Sequence, residues 1–297
     1  MEICRVGRFT RRQAEGWGAI EKLKMMAGLY ALDQRKDAAL SQLSARLAAG
    51  SDSERVAARL VMDDAEGAAS IAARSSDAVA YRLALLRCRS QSDAAPSCRA
   101  LTVQAWQQLD PQDARPWARL VAQAWERKDE AAAAQAVEEM LQRRPRGTFS
   151  PLLEAMFNAR AAVADVEARG LLTVEMIGRD AGLPRDDIIF LRYCSAERVQ
   201  DTARRARCER LARWQLEHAN DLTDAMIATA IADRVALPAE QRPFTGEQLK
   251  RGQEWFMEQS DKVFGMSCTG LRRTSEWMEQ RVQRGELKMV LQGAADR

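Results

Sequence analysis

The feature that most constrains the fold is a succession of short segments with apolar residues at helical spacing, most of which end near a glycine, proline or aspartate. Alanine is the commonest of the 297 residues, whereas the strand-favouring aromatics are few, with 3 tyrosines and 7 phenylalanines. Segments with this periodicity predict helices that bury one face against their neighbours. The sequence therefore predicts an all-α protein.

Helix boundaries follow from the capping and breaking residues. The first two helices are predicted at 20–32 and 34–49, with a break at Asp33, and Ser51 and Glu54 have the spacing of a capping box. Later helices are predicted at 52–65, 67–74, 77–90, 97–109, 113–127, 129–143, 150–168, 171–181, 185–199, 201–218 and 221–236.

The domain organisation follows from one linker. Residues 237–246 contain two prolines and a glycine, so we predict a helical-repeat region over 1–237 and a C-terminal helical segment over 238–297. Successive antiparallel helix pairs suggest a solenoid, in which each pair buries its apolar face against the neighbouring pairs.

One stretch shows a repeat unit. Pro111 and Pro145 lie 34 residues apart, with Trp117, Leu120 and Ala133 between them. Trp117 and Leu120 share one face of the first helix, the small Ala133 lets the second helix approach closely, and the proline ends the unit. This pattern resembles a tetratricopeptide repeat (TPR), which implies a right-handed α-solenoid.

The resemblance is uneven along the chain. It is good for 113–145, although Val121 and Met140 stand where the family has small residues. It is fair for 80–112, which keeps Leu83, Leu86 and Pro111. Elsewhere only the rhythm of helix pairs remains.

The resemblance also implies a function. TPR domains mostly bind peptides or protein surfaces in a concave groove, and one version clamps a peptide carboxylate with basic residues. Arg115 and Arg119 match two of those positions, but Leu85 stands where the clamp has asparagine. The alternative is that both arginines are solvated and pair with nearby acids. Trp125 is a further candidate contact residue, with helix packing as its alternative.

The cysteines form two symmetric pairs. Cys88 and Cys98 lie five residues either side of Asp93, and Cys194 and Cys208 lie seven either side of Asp201. Positions equidistant from a helix-hairpin turn face each other, so each pair is a candidate disulfide. Buried free thiols explain the same apolar spacing. Cys4 and Cys268 have no evident partners.

The expected location depends on these cysteines. The N-terminus MEICRVGRFTRRQ has no apolar run of signal-peptide length, so the chain as given is expected to be cytoplasmic, without a membrane span. If the two pairs are oxidised and the start is misassigned, we expect the periplasm.

Catalytic and metal-binding motifs are lacking from the sequence. It has no GxGxxG, P-loop, HExxH, GxSxG or CxxC pattern, so no catalytic residue, metal or cofactor is predicted. The single histidine, His218, is interpreted as structural, and a Cys268–His218 dyad as improbable. Asp186 and Asp187 are expected to cap a helix.

The charge balance argues against a nucleic-acid partner. The formal net charge is only +3, and the arginines of the run at 202–213 spread around their helix instead of forming one stripe. A protein or peptide partner is favoured. Trp255 and Phe256, in the contiguous WFM at 255–257, mark 250–282 as a candidate docking or dimer surface, because one helix cannot bury all three against a single neighbour.

These observations favour a non-enzymatic helical-repeat scaffold or protein-binding module, of bacterial origin. Two alternatives remain open at this point. One is an inhibitor or immunity-type partner of a toxic enzyme, and the other is a helical-repeat enzyme whose site follows no recognisable motif.

Overall fold

The computed structural model describes residues 2–4, 7–8, 15–90, 96–146, 150–263 and 266–296. Within these ranges the chain is helical, apart from a two-stranded antiparallel hairpin, β1 (Glu2–Ile3) and β2 (Gly7–Arg8). The all-α prediction is confirmed. The helices are α1 (Ala19–Ala48), α2 (Asp52–Val61), α3 (Ala65–Ala72), α4 (Ala78–Arg89), α5 (Val103–Leu109), α6 (Arg115–Glu126), α7 (Glu130–Leu141), α8 (Pro151–Ala159), α9 (Val166–Ala181), α10 (Ile189–Tyr193), α11 (Thr202–His218), α12 (Leu222–Arg234), α13 (Gly246–Val263), α14 (Cys268–Arg284) and α15 (Glu286–Ala295).

Side-chain caps define many of the helix starts. At α2 the predicted capping box is present: the Ser51 hydroxyl accepts from the Glu54 backbone N–H, and the Glu54 carboxylate accepts from the Ser51 N–H. Asp165 caps α9 by accepting from the backbone N–H groups of Glu167 and Ala168. That cap splits the single helix predicted at 150–168 into α8 and the start of α9.

The break predicted at Asp33 is wrong, because α1 runs through it without interruption. Asp33 is exposed and its carboxylate lies 3.5 Å from the Lys36 ammonium, one turn further along. An aspartate breaks a helix only when its side chain captures backbone N–H groups. Here the side chain faces solvent and a lysine instead, so the helix continues.

The buried side chains form three clusters. The first joins α1–α5, α8 and α9 with parts of α13–α15, and the second joins α6, α7 and α10–α13 with α15. A small third cluster contains Ile3, Cys4, Leu32, Leu171 and Leu271. The helices beyond residue 238 thus share buried clusters with earlier helices, and α14 packs on α9.

The candidate repeat unit forms a helix hairpin. α6 packs on α7, and Ala133 is fully buried between them. The segments that begin and end the unit lie side by side, since the Ala114 N–H donates to the Arg144 carbonyl (3.1 Å) and the Arg143 Nε donates to the Pro111 carbonyl (2.8 Å). Over the 34 residues between the two prolines, the chain therefore runs along one helix and back along the next to its starting point.

All six cysteines are paired in disulfides. The predicted pairs Cys88–Cys98 and Cys194–Cys208 have Cα–Cα distances of 5.5 Å and 5.9 Å. Asp201 caps α11 near the middle of the second loop, whereas Asp93 lies outside the described residues.

Cys4 and Cys268, for which the sequence shows no evident partner, are bonded to each other. They are joined across 264 residues, with a Cα–Cα distance of 4.5 Å. The pairing comes from tertiary contact, because the third cluster brings the N-terminal hairpin onto the start of α14. A hairpin-symmetry argument, which compares positions around one turn, does not detect such a pair.

We expect protein folded under oxidising conditions to show no reactive thiol when it is denatured without reductant, and six after reduction. Replacing both Cys194 and Cys208 by alanine should lower the free energy of unfolding by about 3 kcal/mol, because the loop they close becomes unrestrained in the unfolded chain. Thiol titration and denaturant unfolding measure the two quantities. Six reactive thiols before reduction would contradict the pairing.

Candidate functional site

A cleft of about 460 Å³ lies where the first and second clusters meet. This volume is within the range of ligand-binding sites in proteins. Its apolar walls come from helices that are distant in sequence. They include Leu83, Leu86, Trp106, Met140, Leu153, Ile177, Phe190 and Trp214.

The turn between α9 and α10 supplies charged groups to the cleft. Pro184 has no backbone N–H and cannot continue α9, so residues 182–188 cross the cleft as a turn. The helix predicted at 185–199 is thereby reduced to α10 and a short 3₁₀ turn, Arg198–Gln200.

One guanidinium in this turn meets three carboxylates. Arg185 donates to Asp221 (2.9 Å), to Asp187 (3.0 Å) and to Asp224 (2.5 Å). Asp221 is 2% exposed and also caps α12 by accepting from the Asp224 backbone N–H at 2.7 Å. Asp221 is therefore held in place by both the helix start and Arg185.

Burial and neighbouring negative charges both disfavour the ionised form of Asp224. Burial, reinforced by the negative charges of Asp221 and Asp187, raises the pKa of Asp224 to about 8, although Arg185 opposes the shift. Burial also raises the pKa of Asp180, whose carboxylate accepts from the Ser150 hydroxyl. The cleft therefore holds carboxyl groups that resist ionisation.

Another acid in this region, Asp186, contacts two arginines. Asp186 accepts two hydrogen bonds from Arg89, both at 2.7 Å, and lies 3.5 Å from Arg119. The expectation that Asp186 and Asp187 cap a helix is wrong, because α10 begins after Ile188 without a side-chain cap. Both carboxylates bind guanidinium groups instead.

The two arginines implied by the TPR resemblance have acidic partners. Arg115 lines the cleft and binds Asp113, which is 1% exposed, through contacts of 2.8–3.0 Å. Arg119 binds Asp186 and Glu126. A carboxylate clamp needs cations that a ligand can neutralise, and here both arginines pair with nearby acids. They are largely buried, however, and not solvated as that alternative expected.

The tryptophan and phenylalanine candidates are half-buried and contact other side chains of the protein. The Arg198 guanidinium lies 4.4 Å above the Trp125 ring, which also meets Tyr193 edge to face. Phe256 meets Trp277 at 5.4 Å between ring centroids.

Trp255 lies against α15. An added Cβ at Gly293 would come within 2.4 Å of its ring. Because α13 has neighbours on several sides, its WFM sequence does not need a single partner surface, and of the three side chains only Met257 is exposed.

The last turn of α11 faces the cleft with two polar side chains. His218 Nδ1 lies 2.7 Å from the Trp214 carbonyl oxygen, and the two rings stack at 4.8 Å. A Cys268–His218 dyad is ruled out, since Cys268 is bonded to Cys4. Gln215 is only 7% exposed, and its Oε1 has no hydrogen-bond partner among the described residues.

Three side chains lie close enough together to hold a metal ion, but their donor atoms are already bonded or paired. Cys4, Cys268 and Glu167 offer atoms within 4.8 Å of one another. The two sulfurs are bonded to each other, and the Glu167 carboxylate is held by Arg35 (3.1 Å) and Arg272 (3.3 Å). In the disulfide form this group has no free thiolate to offer a metal.

Sequence reasoning missed the carboxylates that gather at one end of the cleft around Arg185, which we call its acidic end. Its residues come from the turn 182–188 and from the start of α12, where aspartates accumulate at 186–187 and at 221 and 224. The signal that the sequence offers is that aspartates cluster near the starts of two helices, α10 and α12. Only the fold shows that Asp187, Asp221 and Asp224 share Arg185.

No helix in the described ranges combines the length and apolar character needed to cross a membrane. Comparison with protein-family models, with curated proteins and with solved structures finds no match to this chain.

Proposed function

We propose that this protein is a non-enzymatic binding module that holds a segment of another protein in the central cleft. The observation that carries the proposal is the cleft itself, with apolar walls, buried charges and a volume of about 460 Å³. Clefts of this kind bind ligands through apolar contact and a few fixed polar groups. The three disulfides support an oxidising compartment as its place of work.

The helical-repeat interpretation belongs to the same proposal. The hairpin of α6 and α7, and the adjacency of the segments that begin and end it, support a TPR-like unit over 113–145. We extend this unit to a right-handed α-solenoid whose inner surface forms the cleft. In such repeats the inner surface is the usual binding surface.

Binding is favoured over catalysis because the acids of the cleft are engaged. Asp186, Asp187 and Asp221 each hold at least one arginine, and Asp221 also caps a helix. A general base needs lone pairs directed at a substrate. These carboxylates instead fix the arrangement of the turn and of α12.

A helical-repeat enzyme remains the second candidate, on one observation. Asp224, with its raised pKa, stands beside ionised carboxylates in a cleft, an arrangement that general acids use. Mass spectrometry of cleft-binding peptides after long incubation tests this candidate. Products that form with the wild type and not with Asp224→Asn would establish an enzyme, and intact peptides would exclude peptide cleavage.

The binding proposal is tested by panning a random heptapeptide phage library on the oxidised protein. Ala118→Phe places a large ring in the cleft, whereas Ala131→Phe places the same ring on the exposed face of α7. We expect enriched peptides to bind the wild type and Ala131→Phe, and to lose binding to Ala118→Phe. The absence of enrichment, or equal binding to both variants, would overturn the proposal.

A further inference from the structure

We propose that the acidic end of the cleft, formed by Asp187, Asp221, Asp224 and Gln215, binds a cationic nitrogen of the ligand, an amine or guanidinium. The inference rests on the proposed function for its peptide form, where that nitrogen belongs to a lysine or arginine side chain or to the amino terminus. A free amine offers the same chemistry, and the experiment below separates the two sources.

The first support is the local charge. Three carboxylates surround the single guanidinium of Arg185. The start of α12 adds about half a positive charge there, and the end of α11, whose last turn lines the same cleft, adds about half a negative charge. A surplus of about two negative charges remains when all three acids are ionised, and one further cation would offset half of it.

The neighbouring charged groups do not remove this surplus. Glu286 and Arg281 bind each other, and Glu286 also accepts from the Leu222 backbone N–H at the start of α12. Asp186 and Glu126 together offset the charges of Arg89 and Arg119. Arg82 and Arg115, which also line the cleft, are offset by Asp113 and Asp180. The charge that these pairs leave unbalanced is that of Asp187, Asp221 and Asp224 around Arg185.

The second support is an unsatisfied acceptor. The Oε1 atom of Gln215 is buried and has no hydrogen-bond partner in the part of the chain that the structure describes, and the residue is 7% exposed and lines the same cleft. A buried polar atom without a partner is costly, so a ligand that supplies a donor to it is favoured. An N–H donor on a cation would supply both the charge for the acids and the hydrogen bond for Gln215.

The apolar walls fit the rest of such a ligand. Trp214 and Leu183 line the cleft beside these polar groups. Lysine and arginine side chains pack their methylene stems along apolar surfaces while the charged end reaches polar partners. A ligand with a cation on a flexible apolar stem therefore matches both parts of the cleft.

The test uses two probes: the heptapeptide library and agmatine, a free amine with a guanidinium group. We expect the peptides blocked by Ala118→Phe to be enriched in lysine, arginine or a required free amino terminus. For one arginine peptide, citrulline in place of arginine should weaken calorimetric binding roughly tenfold or more, as expected for losing a charge-assisted hydrogen bond. Measured at pH 9, where Asp224 is mostly ionised, Asp224→Asn should weaken binding by a similar factor and Gln215→Met by a smaller one.

Asp37→Asn is the matched control, since it removes one exposed carboxylate from α1, away from the cleft. It should leave binding unchanged. Peptides that are blocked by Ala118→Phe but need no cation would overturn this inference and leave the proposed function standing. No enriched peptide, together with Asp224-dependent agmatine binding, would overturn the proposed function and support a free-amine site. Failure of both probes to bind would overturn both.

Discussion

Replacing Gly170 by alanine is expected to lower the free energy of unfolding by about 3 kcal/mol. Gly170 lies where α9 crosses α14, and an added Cβ would come within 2.1 Å of the Leu271 carbonyl oxygen. That atom belongs to the backbone of α14, so it cannot rotate away as a side chain would. The two helices would have to separate, which costs energy on the scale of overpacked cores.

The same helix supplies a matched control. At Gly178 an added Cβ meets nothing within 4 Å. Gly178→Ala should therefore stabilise the protein by about 0.5–1 kcal/mol, through the higher helix propensity of alanine. Denaturant unfolding of both variants measures the difference. If the two substitutions shift the midpoint in the same direction, the close crossing of α9 and α14 is wrong.

The helices were predictable because the signals that form them are local. The Ser51–Glu54 capping box and the hairpin of α6 and α7 depend on residues a few positions apart. Helix boundaries were predicted wrongly where a side chain binds a partner that the local sequence pattern does not reveal. Asp33 leaves α1 intact because it faces solvent, whereas Asp165 divides a predicted helix because it captures two backbone N–H groups.

Contacts between segments that are distant in the chain could not be predicted from the sequence. The Cys4–Cys268 disulfide and the pairing of Arg89 with Asp186, 97 residues apart, depend on how the helices are stacked. A single sequence gives no information on such pairs unless symmetry around one turn relates them. This is why two disulfides were anticipated as one of two alternatives and the third was missed.

For the candidate site too, the sequence predicts the positions of side chains but not their binding partners. Arg115 and Arg119 were selected by their positions in a repeat pattern, which says where a side chain lies and not what it binds. Their acids, Asp113 and Asp186, neutralise them in the fold. The acidic end of the cleft was hidden for the complementary reason, because Arg185 is two residues from Asp187 in sequence but reaches Asp221 and Asp224 only through the fold.

Asp224 gives the second large prediction, a stability that falls as the pH rises. In the folded protein, burial and the charge of Asp221 raise the pKa of Asp224 to about 8, from 3.8 for the ordinary side chain. Between these values the folded state binds more protons than the unfolded state. The contribution of Asp224 to stability is therefore fully present below about pH 4 and is lost as the pH rises towards 8.

Asp224→Asn should remove this loss, because asparagine has nearly the shape of the protonated acid. Relative to wild type, the variant should be about equally stable near pH 4 and about 2–3 kcal/mol more stable near pH 8.5. This estimate is reduced from the full pKa difference because the Asp224 side chain is 28% exposed and solvent screens its charge. Urea unfolding at the two pH values measures the gap.

The control is again Asp37→Asn on α1, which should shift the stability by the same small amount at both pH values. If the stability difference between Asp224→Asn and wild type does not increase with pH, Arg185 already balances the three carboxylates. The proposed cation site would then lose its electrostatic basis. The expected outcome instead separates folding from binding: a variant that is more stable at high pH and yet binds a cationic ligand less well cannot owe its weaker binding to a damaged fold.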